Sequence, residues 1–200
     1  VHHLVLNEEV LTGFDSRYKV APPLRDEATR KALIAAVLDN TIDCITSDHN
    51  PLDIEHKKLE FDMAKDGTIG LESAFGALLT VLPLEVVLEK LTAGKKIFGL
   101  PKQAIEINTT AELSFFTPTG ESTFTKENII SKSKNSAFLG QKVKGKAYGI
   151  YNNGKLVIGL HHLLKCFIVM SELDLAMILI YQRQAFCLQV RQILKFLCIM

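Results

Sequence analysis

The order of hydrophobic and polar residues predicts alternating helix and strand in the first part of the chain. Asp26 precedes apolar positions at helical spacing through residues 30–38, and Asp39-Asn40 ends that pattern. Residues 41–46 are then rich in β-branched and apolar side chains, which predicts a strand. A polar loop, Ser47-Asp-His-Asn-Pro51, follows at once. The order helix, tight turn, strand, polar loop is typical of an α/β fold.

The residues after this loop predict two more helices. Residues 71–82 form a largely apolar run that predicts a buried helix, and residues 84–91 carry apolar positions at amphipathic spacing. Gly94 and Gly99 mark the end of this helical region. We therefore expect a first structural region over residues 1–100.

Short β-rich runs and turn signals take over after residue 100. They predict a small β-domain over residues 101–159. The predicted strands are residues 104–107, 112–116 and 155–158, and the predicted turns are Pro118-Thr-Gly120 and Asn152-Asn-Gly154.

Residues 160–200 differ from everything before them. They contain no glycine, proline, asparagine or threonine, and Lys165, Glu172, Asp174 and Arg183 interrupt every window long enough to span a membrane. Two interpretations stay open for this hydrophobic tail: an amphipathic helical appendage, or a shifted or fused reading frame. We favour the second.

The overall composition narrows the range of partners. Hydrophobic residues make up 48% of the 200 residues, charged residues 22%, and the net charge is +1. These values favour a globular chain with neither a nucleic acid nor a membrane as its partner. The four cysteines lack CxxC spacing and no secretory signal is visible, so a reducing, cytoplasmic location is expected.

The loop after the predicted strand carries the candidate chemistry. In a (β/α)₈ barrel the active site lies at the carboxyl ends of the strands, which would place Asp48 and His49 at the catalytic mouth. A carboxylate at such a position can bind a metal ion and act as a general base. The alternative is that Asp48 merely begins a turn before Asn50-Pro51.

Four short blocks, read together, favour the catalytic interpretation. They are His2-His3-Leu4, Ala21-Pro-Pro-Leu-Arg25, Ser47-Asp-His-Asn-Pro51 and Gly70-Leu-Glu-Ser-Ala74. In this order and at similar spacing they resemble blocks of the long-chain dihydroorotases of the amidohydrolase superfamily, over about residues 1–159. The resemblance implies the C-terminal part of a (β/α)₈ metal-dependent hydrolase barrel, followed by a small β-domain.

The resemblance also implies a reaction and a cofactor. Asp48 matches the aspartate that binds zinc and acts as general base in the reversible hydrolysis of dihydroorotate to N-carbamoyl-aspartate, a step of pyrimidine biosynthesis. The family uses one or two Zn²⁺ ions, and its other ligands are expected upstream of Val1. We therefore expect this chain to be a fragment that lacks most of the metal ligands.

Three positions match family residues that contact the substrate, and two of them differ. Ala21 stands where the family has asparagine, Leu52 stands where it has histidine, and Gly67 is kept although Asp66 replaces the preceding aromatic residue. Neither Ala21 nor Leu52 can form the family's side-chain hydrogen bonds. The differences imply either another small cyclic-amide substrate or a non-catalytic homologue that assembles with aspartate transcarbamoylase. A homo-oligomer is also left open.

We predict supporting roles, and no direct part in the reaction, for the remaining histidines and lysines near these blocks. His2-His3 should end the preceding strand, where at most one ring faces the site, and we expect a supporting role outside the metal ligands, with His3 and His49 as the candidates. Lys57, Lys58 and Lys65 lie in a charged run that predicts a solvated loop, which could also attract an anionic substrate.

Overall fold

The computed structural model describes residues 1–100, 105, 110–152 and 154–158. It divides the chain into two compact units. One consists of Val1–Pro101 with Phe116–Ala147, and the other of Lys102–Phe115 with Tyr148–Met200. Most of the predicted strand at 104–107 and the whole tail at 160–200 lie outside the described residues.

The α-helices of the described residues all lie in the first unit. Its α-helices are α1 (His2–Val5), α2 (Glu27–Leu38), α3 (Ile54–Lys57), α4 (Ala74–Leu78), α5 (Leu84–Thr92) and α6 (Gly94–Ile97). Short 3₁₀ helices occupy Glu8–Leu11, Ser16–Tyr18 and Lys126–Asn128.

The predicted helix after Asp26 is confirmed as α2. The Asp26 side chain accepts a hydrogen bond of 2.7 Å from the backbone N–H of Thr29, which caps the helix. The helix ends at Asp39, and Asn40 then adopts a left-handed conformation with φ of 66°, which asparagine tolerates better than most residues. Val37 is buried in the core, so the apolar face faces inward as the sequence pattern predicts.

The predicted amphipathic helix is confirmed as α5, and the predicted helix over residues 71–82 is wrong in length. Only Ala74–Leu78 are helical there. Thr80 and Val81 donate to Ala77 and Leu78, respectively, in the tighter i to i−3 pattern, which ends the helix shortly before Pro83. An apolar run alone does not reveal such a local tightening.

Residues 41–46 do not form the strand that the sequence predicts. The nearest sheet-like contact is a single parallel bridge between His49 and Thr68. Separate hydrogen bonds hold the segment instead, from Ile42 N to Ala36 O and from Ile45 N to Lys90 O. A β-rich sequence becomes a strand only beside a pairing partner, and the described residues provide no ladder here.

His2 and His3 also lie in a helix and not at the end of a strand. They begin α1, a helix of four residues that packs against α2 and α4. The argument that adjacent residues point to opposite faces of a strand therefore does not apply to them.

The described strands form one sheet in the order β1-β2-β3, with β1 at Leu113–Thr123, β2 at Lys142–Asn152 and β3 at Lys155–Ile158. β2 and β3 are antiparallel, with Gly149 opposite Ile158 and Asn152 opposite Lys155. The predicted strand at 155–158 and a chain reversal between Asn152 and Lys155 are therefore confirmed.

Two features of this sheet differ from the sequence prediction. Pro118-Thr-Gly120 lies inside β1 rather than forming a turn, which an edge strand permits because the proline nitrogen there needs no partner. β2 was not predicted, because lysines and glycines interrupt its apolar alternation. Gly145 is required by close approach, since a side chain there would overlap the backbone of Thr117.

The core of the first unit includes residues from distant parts of the chain. Val37 of α2, Leu78 of α4 and Val87 of α5 are fully buried, together with Ile69 and Phe138. Phe138 follows β1 in sequence, so the segment after β1 belongs to the same core as the helices. Among the described residues, no helix is long and apolar enough to span a membrane.

Candidate functional site

Asp48 lies at the surface and carries an unusual backbone conformation. Its side chain is 56% exposed, and its φ of 49° lies in the left-handed region, where aspartate is tolerated more readily than branched residues. Backbone strain of this kind occurs often at functional sites. Because its side chain is exposed, the Asp48 carboxylate is accessible to a ligand, as a catalytic or metal-binding group must be.

His2 is the titratable side chain that lies against Asp48. Its Nε2 is 3.9 Å from Oδ2 of Asp48, and its side chain is only 2% exposed. Neither ring nitrogen has a hydrogen-bond partner among the described residues. Burial lowers the pKa of His2 to about 3, with smaller contributions from the Val1 amino group and from His3, so the ring is neutral at physiological pH.

Within the described residues, the buried, neutral His2 ring lacks the hydrogen-bond partners that buried polar atoms normally have. Polar atoms out of contact with water normally find a hydrogen-bond partner, and a neutral ring nitrogen is also a common metal ligand. His2 and Asp48 therefore form a donor pair suited to a divalent metal ion. No group of three potential metal-binding side chains occurs in the part of the chain that the structure describes.

The supporting role predicted for His3 stays a prediction: His2 is the ring within 3.9 Å of Asp48, and the charge of Asp48 also acts on the nearby His3 ring. His3 stacks at a tilt on His2, with ring centroids 4.3 Å apart, and its buried Nε2 also lacks a partner within the described ranges. Burial lowers the pKa of His3 as well. Which of the two rings approaches Asp48 to 3.9 Å depends on the backbone conformation of α1, which the His-His-Leu block does not reveal.

His49 faces away from this pair towards the start of the next helical region. Its Nδ1 accepts hydrogen bonds from the backbone N–H groups of Gly70 (3.2 Å) and Leu71 (3.3 Å), and it lies 4.0 Å from Oε2 of Glu72. Together with the bridge from His49 to Thr68, these contacts fasten the loop after Asp48 to residues 68–72. The supporting role predicted for His49 stays a prediction, with these contacts as its physical basis.

Hydrogen bonds through Asn135 connect two of the three substrate positions that the family resemblance implies, Gly67 and Leu52. Ala21 is exposed, and its near neighbour Lys19 accepts a 2.9 Å bond from Gly67 N through its carbonyl. Gly67 has φ of 135° and sits against the side chain of Asn50, so that no other residue fits without a shift. Leu52 is partly exposed, and both its backbone groups bond to residues after β1.

The residue responsible for much of this connection is Asn135, which sequence reasoning did not select. Its side-chain N–H groups donate to the carbonyls of Asn50 (3.1 Å) and Gly67 (3.3 Å), and its Oδ1 accepts from Leu52 N (3.3 Å). These contacts lead from the segment after β1 to the loops that follow Asp48.

The predicted solvated lysine run is wrong at Lys57. This side chain is only 4% exposed, and its Nζ donates to the carbonyls of Lys65 (2.9 Å) and Lys19 (3.2 Å). Burial lowers the pKa of Lys57. The ammonium group therefore holds two backbone segments together and does not face a ligand, whereas Lys58 and Lys65 are exposed as expected.

Comparisons with known proteins show the family to which the chain belongs. No protein-family model matches the chain. The dihydroorotase of Carboxydothermus hydrogenoformans is 41% identical over 152 residues, which cover 72% of this chain and 35% of that protein. The dihydroorotase of Caldicellulosiruptor saccharolyticus is 36% identical over 163 residues, which cover 78% of this chain and 38% of that protein. The chain thus spans less than two fifths of the length of these curated relatives.

Solved structures show the same relationship at the level of the fold. An L-hydantoinase from Arthrobacter aurescens superposes with a TM-score of 0.70 at 24% identity, over 78% of this chain and 38% of that one. A dihydroorotase from Saccharomyces cerevisiae, solved with 5-fluoroorotic acid, gives a TM-score of 0.57 at 17% identity, over 80% of this chain and 42% of that one. The α/β fold class and the resemblance drawn from four sequence blocks are confirmed: the chain is a homologue of part of the dihydroorotases, in the amidohydrolase superfamily.

Proposed function

We propose that this chain forms part of a metal-dependent hydrolase that opens a cyclic amide, with Asp48 as its general base. The observation that carries the proposal is the approach of the buried, unpartnered His2 ring to the exposed Asp48 carboxylate, 3.9 Å apart. The relatives at 36–41% identity are named dihydroorotase, which favours hydrolysis of dihydroorotate to N-carbamoyl-aspartate.

His2 and Asp48 are the residues that would hold a Zn²⁺ ion. A bound zinc ion supplies a Lewis acid and lowers the pKa of water at the site towards neutrality. The donor set fits, since zinc accepts imidazole nitrogen and carboxylate oxygen, and burial keeps the His2 ring neutral. A complete site needs at least one further protein ligand, so the proposal requires a contribution from outside the described residues.

Asp48 can move the protons that the reaction requires. Hydrolysis adds water to the ring carbonyl and breaks the carbon–nitrogen bond, so one proton must leave the water and one must reach the departing nitrogen. An exposed carboxylate at the edge of a loop can accept the first proton and return it to the nitrogen. His2 cannot take over this task readily, because burial keeps its ring neutral and out of solvent.

The proposal includes the wider setting that the sequence resemblance implies. The chain would be the C-terminal portion of a (β/α)₈ barrel enzyme of pyrimidine biosynthesis in the cytoplasm, with one or two zinc ions in the complete protein. The short overlap with the relatives' own length supports the view that further residues complete the barrel.

A second candidate function rests on Ala21 and Leu52. Both stand at positions where the family forms hydrogen bonds to its substrate, and neither side chain can form them. Such losses favour a non-catalytic homologue that serves as an assembly partner of aspartate transcarbamoylase. The retained Asp48 and its contact with His2 favour the enzyme.

The proposed function is tested by dihydroorotate hydrolysis in the complete polypeptide that contains residues 1–200. We expect turnover with zinc, and loss of turnover in Asp48→Asn with an unchanged melting temperature, since an amide cannot accept the proton. Asp43→Asn is the matched control, because Asp43 is an exposed carboxylate of the same segment. A zinc-loaded protein without turnover would favour the assembly partner, and full activity of Asp48→Asn would remove Asp48 from the mechanism.

A further inference from the structure

The side chain of Asn135 makes three hydrogen bonds to the loops that follow Asp48. The residue is 6% exposed and lies after β1, more than eighty residues from Asp48 in sequence. A side-chain amide has two N–H donors and two acceptor positions. The two donors go to Asn50 O and Gly67 O, and Oδ1 accepts from Leu52 N and lies in contact with the Ser133 hydroxyl oxygen.

The backbone beside Asn135 adds a second set of bonds to the same region. Its carbonyl accepts from Ile69 N (3.1 Å) and from the hydroxyl of Thr68 (3.2 Å). The Thr68 hydroxyl in turn accepts from Ala137 N at 2.8 Å. Residues 133–137 therefore contact the loop that contains Leu52 and the loop that contains Gly67, and they fix the distance between the two.

The amide group is chemically specific for this position. It offers donors to two carbonyl oxygens and an acceptor to one N–H, so a carboxylate of the same shape would place an oxygen against the carbonyls of Asn50 and Gly67. Such a change removes both donors and adds repulsion inside a buried region. The loops would have to separate or admit water.

We propose that Asn135 is a positioning residue that sets the arrangement of the Leu52 and Gly67 loops on the substrate side of Asp48. The inference rests on the proposed function for its catalytic consequence. In this proposal the segment after β1 holds the loops of the site in place, and none of its side chains needs to touch the reacting atoms. Leu52 and Gly67 are the positions through which a shift of these loops would reach the substrate.

The test compares Asn135→Asp with Asn152→Asp in the complete polypeptide. Asn152 is an exposed asparagine of β2 and receives the same chemical change. The first measurement is hydrogen–deuterium exchange of peptides that cover residues 48–52 and 66–70. We expect faster exchange in both peptides for Asn135→Asp, with α2 and α5 unchanged, and no change for Asn152→Asp.

The second measurement separates KM from kcat for dihydroorotate. Displaced loops should raise KM about tenfold or more in Asn135→Asp, while kcat changes less because His49, the neighbour of Asp48, is bonded to Gly70 and Leu71 and not to Asn135. Unchanged exchange in the two peptides would overturn the inference, as would faster exchange with an unchanged KM in an active protein.

Two further cases are covered: an Asn135→Asp variant that does not fold, and a wild-type polypeptide without turnover. If Asn135→Asp does not fold, Ser133→Ala is read in the same way, because its hydroxyl donates to Leu52 O at 2.7 Å and also contacts Asn135. If the wild-type polypeptide binds zinc but shows no turnover, the proposed function fails. The exchange measurements then decide the positioning role alone.

Discussion

Nε2 of His2 lies 3.9 Å from Oδ2 of Asp48, although forty-five residues separate the two in sequence. Helix α1 packs against α2 and α4, and the Val1 amino nitrogen donates to Thr46 O at 3.0 Å, so the start of the chain is fastened directly to the segment that carries Asp48. One partner is buried and the other is exposed. A neutral ring beside an accessible carboxylate is a suitable half of a metal site.

The ion pair between Glu27 and Arg30, in the first turn of α2, predicts that the stability of the fold depends on pH. Hydrogen bonds from Arg30 are the main cause that lowers the pKa of Glu27 to about 2 from an ordinary value of 4.5. A carboxyl group whose pKa is lower in the folded state stabilises the fold above its unfolded pKa, and this contribution is lost as the pH falls. The contribution of Glu27 should therefore disappear between about pH 4.5 and 2.

Thermal melts of wild type and Glu27→Gln from pH 7 to pH 2 measure this directly. We expect a lower melting temperature for Glu27→Gln at pH 7 and convergence of the two curves in acid. Glu9→Gln, an exposed carboxylate without such a pair, serves as the control. A difference between Glu27→Gln and wild type that is the same at all pH values would contradict the pair's role.

Two adjacent lysines should respond differently to the same substitution. Lys57→Met removes a buried donor from the carbonyls of Lys65 and Lys19, and losses of this kind cost about 1–3 kcal/mol. Lys58→Met changes an exposed side chain and should alter the free energy of unfolding by no more than about 0.5 kcal/mol. Urea denaturation compares them, and equal effects would show that Lys57 is not a structural tether.

The departures at Ala21 and Leu52 predict how substrate affinity can be changed. Ala21→Asn and Leu52→His together return polar groups at the two positions where the family contacts its substrate. Hydrogen bonds to charged groups are worth about 1.5–3 kcal/mol each, so the double variant should bind dihydroorotate more tightly. Calorimetry on the zinc-loaded complete polypeptide measures the change, and unchanged affinity would favour a different cyclic amide.

The exposure of Ala21 and Leu52 allows a matched control for this double variant. Ala21 is exposed and Leu52 is partly exposed, so both new side chains have room without repacking the core. Ala21→Ser with Leu52→Met is a suitable control, since it changes size at both positions without restoring the family's groups. Tighter binding in this control would show that the effect does not depend on the restored amide and imidazole.

The features that could be predicted from the sequence are those that depend on residues close together in the chain. Asp26 as a helix cap, α5 and the strand at 155–158 depend on neighbouring residues, and each was predictable from them. The four blocks located the region of Asp48 because short motifs are recognisable without any knowledge of the fold.

Features that depend on distant contacts were not predictable from local pattern. The segment 41–46 has the composition of a strand, but a strand exists only with a partner to pair with. The approach of His2 to Asp48 depends on the helical conformation of α1, and the burial of Lys57 depends on the carbonyls of Lys19 and Lys65. Asn135 was not selected, because the carbonyls to which its side chain donates lie more than sixty residues away in sequence.

Zinc affinity of the complete polypeptide tests the pairing of His2 with Asp48 most directly. Competition with a chromophoric chelator would compare wild type with His2→Gln, Asp48→Asn and His3→Gln. We predict that His2→Gln and Asp48→Asn each weaken zinc binding by at least about tenfold, whereas His3→Gln changes it by less than about threefold. Weakened binding in His3→Gln with unchanged binding in His2→Gln would contradict the pairing.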